Sequence, residues 1–283
     1  ELFRTYDTLS YRAGGGFIDN MAVKLLKNAE DISNKISCQK MENVIDVLLN
    51  EKVKNVPYEV RDTGRPKNDK RRQRTFIESI MILNYYNFFT YSIITFLGYN
   101  FNGNETIYPD PMIQSSPVLN GNNKQSGRDS LNWPVATIIQ AGCGVATMYY
   151  WEVAPDREDF TTGIYPLFYQ PNQLAPLPNE WGGLASWAWG LSKAMDYLQS
   201  DKQVDAKRVI VLGHSRLGKA AIWAGAKDQR FAGVISSGSG AMGVSISKSK
   251  KGETLSAVIK RFPRWTAGNF KKYLNQDANL PFD

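Results

Sequence analysis

Two rhythms of apolar residues run through the second half of the chain. Leu184, Trp187, Ala188, Leu191, Met195 and Leu198 recur at three- and four-residue spacing, which predicts a helix with one buried face and makes the tryptophans most simply core. Val209-Ile210-Val211-Leu212 is a continuous β-branched run, which predicts a strand buried on both faces. Ala220, Ala221, Ile222, Trp223, Ala224 and Ala226 then favour a buried helix, and residues 231–236 a further strand. Upstream, 133–141 reads as a short helix, 144–150 as a central strand and 153–156 as its exit loop. The order strand, helix, strand, helix, strand predicts a mainly parallel sheet covered on both faces, hence an α/β fold of three layers.

The first half is less regular. Residues 21–36 and 41–49 carry apolar residues near helical spacing, and 64–74 is a basic stretch that reads as a solvated loop. The absence of interleaved aromatics there argues against a nucleic-acid surface. Ser79 to Leu97 contains no charged residue and follows that basic stretch, as a membrane span would. Asn84, Asn87, Thr90, Ser92 and Thr95 interrupt it, however, so it reads as two buried strands joined near residues 84–87. Residues 98–104 read as a turn-rich loop leaving a strand, and 109–132 and 157–180 as long surface loops.

Composition adds bounds rather than identity. With 283 residues, 42% of them hydrophobic, the chain can build one large domain. A formal charge of +7 could favour acidic substrates such as uronic acids, but so modest an excess names no ligand. Two cysteines, Cys38 and Cys143, make neither a metal cluster nor a disulfide framework, and Cys143 sits in an apolar run that predicts a buried free thiol. The sequence opens at Glu1-Leu2-Phe3 without Met or a leader, so either a leader has been removed or the start is missing.

The chemistry concentrates where the β-branched run meets Gly213-His214-Ser215-Arg216-Leu217-Gly218-Lys219. A serine on a sharp strand-to-helix turn presents its hydroxyl at the end of a sheet, and glycines beside it let strand and helix approach. That makes Ser215 the candidate nucleophile. The usual G-x-S-x-G spelling is altered, because Leu217 takes the second glycine's place and Gly218 comes one residue late. The same stretch fits the phosphate-binding G-x-x-x-x-G-K pattern, although Ala220 stands where a P-loop has Ser or Thr. From these residues alone both readings stay open.

Longer words resolve the choice. The sequence resembles the glucuronoyl esterases in FLGYNFNGN (96–104), WPVATIIQAGCGVATMYYWEVAPD (133–156), ASWAWGLSKAMDYL (185–198), GHSRLGKAAIWAGAKDQRFAGVIS (213–236), GETLSAVIKRFPRW (252–265) and NFKKYLNQDANLPFD (269–283). The resemblance implies a serine hydrolase of the α/β-hydrolase type that cleaves glucuronoyl esters linking xylan to lignin, without a cofactor or metal. It implies a single incomplete domain over 1–283, with 1–95 a poorly matched N-terminal part and 96–283 the core. The implied setting is secreted or periplasmic, with no nucleic-acid or membrane partner; the implied partner is glucuronoxylan or a small glucuronoyl ester.

Carried over word by word, the resemblance makes Ser215 the nucleophile, Arg216 a stabiliser of the oxyanion, and Lys219 and Glu253 the groups that hydrogen-bond the uronic sugar. It also bears on the rest of the site. The one histidine, His214, precedes Ser215 directly and reads as a packing residue of the turn, while the family's catalytic histidine follows the LPFD-like segment at which this sequence stops. Of the family's two positions for the acid, one is occupied here by Gly238 and the other lies beyond Asp283. The expectation is a chain carrying the nucleophile half of the site, with a non-catalytic carbohydrate-binding relative as the alternative.

Overall fold

In the computed structural model the described residues are 58–62, 81–85, 93–116, 126–248 and 252–280. The strands are β1 (Tyr58–Asp62), β2 (Met81–Tyr85), β3 (Thr95–Asn100), β4 (Gly144–Tyr149), β5 (Val209–His214) and β6 (Gly233–Ser237). They form one sheet in the order β1-β2-β4-β3-β5-β6. β3 to β6 run parallel, and β1 and β2 add antiparallel at one end. Among the described residues five α-helices accompany them: α1 (Val135–Gln140), the single turn α2 (Tyr150–Val153), α3 (Gly183–Ser200), α4 (Arg216–Lys227) and α5 (Leu255–Arg261).

The period of two in the strands explains the layers. Leu97, Tyr99, Ala146, Met148, Val209 and Val211 pack on one face with α3 and α4, in a core that includes Trp187, Leu191, Met195, Leu198, Leu217, Ala220 and Ala224. Val145, Phe96 and Leu212, one position out of phase, pack on the other face with Ile138 and Ile139 of α1. A strand with both faces covered needs apolar residues at every position, which is why these runs do not alternate with polar ones. The three-layer α/β architecture expected from the sequence is the one observed.

Several expectations change in detail. Residues 98–100 continue the strand, because Gly98 and Asn100 pair with Thr147 and Tyr149 of β4. The buried Asn100 side chain then holds the loop that follows, donating to Asn104 Oδ1 at 2.7 Å and Thr147 Oγ1 at 3.1 Å and accepting from the Gly103 N–H at 2.8 Å. β2 and β3 are indeed strands, with Asn84 inside β2, yet they are not neighbours, since β4 lies between them. The last strand starts at Gly233 rather than Phe231. α4 buries only one face: Trp223 is 51% exposed.

Cys143 is a free thiol, and burial pushes it up to about 11, so it is protonated at neutral pH. The expected helices at 21–36 and 41–49 and the basic loop at 64–74 lie outside the described residues. Among the described residues no helix is long and apolar enough to cross a membrane.

Candidate active site

Ser215 stands at the carboxyl edge of the sheet, between β5 and α4, with φ 55° and ψ −127°. That backbone is unfavourable for a residue with a Cβ, costing on the order of 1–3 kcal/mol, and it persists because its surroundings fix it. The Ser215 N–H donates to the Ser237 carbonyl of β6 at 2.8 Å, while its own carbonyl accepts from the N–H groups of Gly218 (3.0 Å) and Lys219 (3.1 Å). The hydroxyl is not spent on capping the helix. The late glycine has a packing role: a Cβ on Gly218 would stand 2.9 Å from Ser236 Oγ and 3.1 Å from Ser239 Cβ. Close approach of helix and strand is thus needed one residue further along than in the common spelling.

Arg216 begins α4 and turns back over the sheet edge. Its Nη1 donates to Oδ2 of Asp156, whose side chain is 1% exposed, on the loop that leaves α2. Oδ1 of Asp156 accepts from Nε (2.9 Å) and Nη2 (2.6 Å) of Arg264 and from the indole N–H of Trp265 (2.8 Å). Aromatic rings enclose this group: the Arg216 guanidinium lies 5.3 Å from the Trp265 centroid, 5.7 Å from Phe262 and 6.0 Å from Phe101. Trp187 fixes the loop by donating to the Ala154 carbonyl at 2.9 Å. Burial, then the Asp156 carboxylate, raises Tyr150 far above the usual phenol range, so it stays neutral beside Arg216.

Lys219 and Glu253 do meet, at 2.8 Å, but not as a pair of open sugar ligands. Lys219 is 4% exposed and its ammonium also donates to the carbonyls of Ser239 and Ala241, which uses all three of its protons. Desolvation lowers its pKa, and the Glu253 carboxylate opposes that shift. An ammonium committed in this way to carbonyls is not presented to a phosphate, which removes the P-loop reading. Glu253, with its side chain 42% exposed, keeps an accessible carboxylate.

His214 is exposed rather than packed into the turn. Its ring lies beside Gly238, where a Cβ would stand 3.1 Å from Cε1, and partial desolvation lowers its pKa while a hydrogen bond with the Ser237 backbone opposes this. Gly238 itself has φ 52°. Sequence reasoning does not single out Asp156, Arg264 or Trp265, although an aspartate closing the apolar word WEVAPD is a visible signal. A cavity of about 190 Å³, bordered by Phe160, Leu177, Glu180, Thr266 and Lys271, shares only Arg264 with this group. Among the described residues no three of His, Cys, Asp or Glu stand together as a metal site would need.

A serine held in the left-handed region between β5 and α4 of a β1-β2-β4-β3-β5-β6 sheet defines an α/β-hydrolase with a serine elbow. Residues 128–283 match the family model for glucuronyl esterase of fungi, and the chain belongs to the glucuronoyl esterase family of carboxylic ester hydrolases. It is 40% identical over 200 residues to carbohydrate esterase MZ0003 from an unknown prokaryotic organism, covering 66% of this chain and 46% of that one. It is 37% identical over 112 residues to the 4-O-methyl-glucuronoyl methylesterase of Podospora anserina, covering 36% and 23% respectively. The chain therefore spans less than half the length of these relatives. Its structure is similar to a glucuronoyl esterase from Solibacter usitatus, with 35% identity, a TM-score of 0.64, and coverage of 87% of this chain and 71% of that one. It is also similar to a promiscuous CE15 esterase from a marine bacterial metagenome, with 29% identity, a TM-score of 0.58, and coverage of 89% and 69%.

Proposed function

We propose that this chain carries the nucleophile side of an esterase acting on esters of 4-O-methyl-glucuronic acid, of the kind that join glucuronoxylan to lignin alcohols. The observation that carries the proposal is the strained Ser215 turn, followed directly in the chain by Arg216, whose guanidinium is held by the buried Asp156. Ser215 Oγ attacks the ester carbonyl and loses its proton to a base. The tetrahedral oxyanion is stabilised by Arg216 and by the backbone N–H that follows the serine. The carbonyl–alkoxy bond then breaks, the alcohol leaves with a proton, and water hydrolyses the acyl-enzyme to free the uronic acid.

Glu253 accepts from sugar hydroxyls, and Lys219 holds it in place. His214 is not the base in this reading, since its ring lies beside Gly238 and it ends β5 immediately before the nucleophile. The family resemblance supports a base that follows the LPFD-like segment and a secreted or periplasmic setting.

The test is hydrolysis of benzyl glucuronate by the protein at the length its gene encodes, beside Ser215→Ala and His214→Ala. Ser215→Ala should lose turnover and His214→Ala should keep most of it. Turnover that survives Ser215→Ala removes the serine from the mechanism, and turnover that vanishes in His214→Ala makes that imidazole the base.

A further inference from the structure

Arg216 can stabilise an oxyanion only if it stays in place and keeps a surplus positive charge. Its anchor, the buried Asp156 carboxylate, supplies the first requirement and threatens the second, because an isolated Arg216–Asp156 pair is neutral. The structure adds a second guanidinium. Arg264 places Nε and Nη2 on the same Asp156 oxygen, Oδ1, and the Trp265 indole N–H reaches that oxygen too, so Oδ2 is left to Arg216. One carboxylate between two guanidiniums leaves a net charge of one positive unit in a site walled by Phe101, Phe262 and Trp265. Few water molecules can screen it there, which strengthens its field at the neighbouring serine. The Arg216 Nε is buried and has no hydrogen-bond partner among the described residues, so the anchor does not exhaust the donors of this side chain.

We infer that Asp156 is a positioning residue for Arg216 and that Arg264 is the counter-charge that offsets the Asp156 carboxylate, so that the cluster keeps a net positive charge toward the developing oxyanion. This rests on the reading of Ser215 as nucleophile and Arg216 as oxyanion donor. Neither Asp156 nor Arg264 touches the reacting atoms; both act through Arg216.

The test is a double-mutant cycle on benzyl glucuronate in the protein at its gene-encoded length. Asp156→Asn and Arg264→Gln are made in the parent and in an Arg216→Ala background, with Arg264→Lys as the charge-preserving control. In the parent, the first two should lower kcat by about 10- to 10²-fold with KM changed by less than about threefold, whereas Arg264→Lys should stay within about threefold of the parent. In the Arg216→Ala background the same changes should cost less than about threefold, because the group they serve is gone.

Equal losses in both backgrounds, or an Arg264→Lys as impaired as Arg264→Gln, would overturn the inference and leave a purely structural cluster. If Asp156→Asn does not fold, as judged by its near-ultraviolet dichroism, the Gln and Lys substitutions at 264 decide. Ser215→Ala or Arg216→Ala with parental turnover would instead remove the underlying esterase reading, a result distinct from additivity in the cycle.

Discussion

The carbonyl oxygen of Leu217 occupies the space that a Cβ on Gly213 would need, and the Gly218 nitrogen lies 2.8 Å from the same point. Both neighbours are backbone atoms, so no side-chain rotation can make room. Gly213→Ala should destabilise the protein by about 3 kcal/mol, the upper end of overpacking costs, through a forced shift of the β5–α4 turn. Urea unfolding monitored by tryptophan fluorescence measures this. An unchanged midpoint would show that the turn relaxes at little cost.

The strain at Ser215 makes an opposite prediction two residues later. With φ 55° and ψ −127°, a residue lacking Cβ is at ease and alanine is not. Ser215→Gly should therefore be more stable than Ser215→Ala by about 1 kcal/mol, although both lose the nucleophile. Thermal melting of the two proteins side by side is the measurement, and equal melting temperatures would mean that the turn stores no such strain.

Lys219→Met keeps the volume of the buried stem and removes the ammonium. The Ser239 and Ala241 carbonyls then lose a charged donor, at an expected cost of about 2 kcal/mol, and Glu253 loses its anchor. Methyl glucuronate binding by calorimetry should weaken in the same variant. A variant that is less stable but binds the sugar normally would separate the two roles.

Acid stability should depend on Asp159, which accepts from Arg157 at 2.6 Å and from the Thr161 hydroxyl at 2.8 Å. The Arg157 hydrogen bond is the largest cause lowering its pKa, from 3.8 to about 2. Because the folded value lies below the unfolded one, the unfolded chain binds more protons in this window. The stabilisation is therefore complete above about pH 4 and disappears as the pH falls toward 2. Asp159→Asn should remove that component from the pH dependence of the melting temperature, and curves that stay parallel between about pH 5 and 2 would contradict it.

Much of this architecture is legible along the chain because local pattern and burial agree. Val209 to Leu212 read as a doubly covered strand, and Trp187, Leu191, Met195 and Leu198 as a buried helix face. The elbow is legible from Gly213 and Ser215, and ambiguous only because Gly218 serves a contact with Ser236 and Ser239 that no local rule announces. The Asp156 cluster is not legible. Its members come from three segments far apart in sequence, and an aspartate in a loop looks solvated until Arg216 and Arg264 are brought over it. Lys219 also misleads a local reading: one turn along an exposed helix start it promises an open cation, whereas tertiary packing turns it toward two carbonyls. Trp223 shows the converse, an apolar letter in an apolar word that faces outward because α4 has only one covered side.

The position of β3 between β4 and β5 bears on the order in which the molecule can assemble. Thr95 of β3 is in register with Val209 of β5, over a hundred residues later in the chain. Closing so long a loop costs chain entropy before any pairing rewards it, and parallel strands offer no short hairpin as a starting point. The β3–β4 unit can form earlier, with β5 joining only after α3 has been made. On a ribosome, the serine turn would thus appear only after β3 and β4 have emerged, and its strained backbone would be imposed on strands already able to pair.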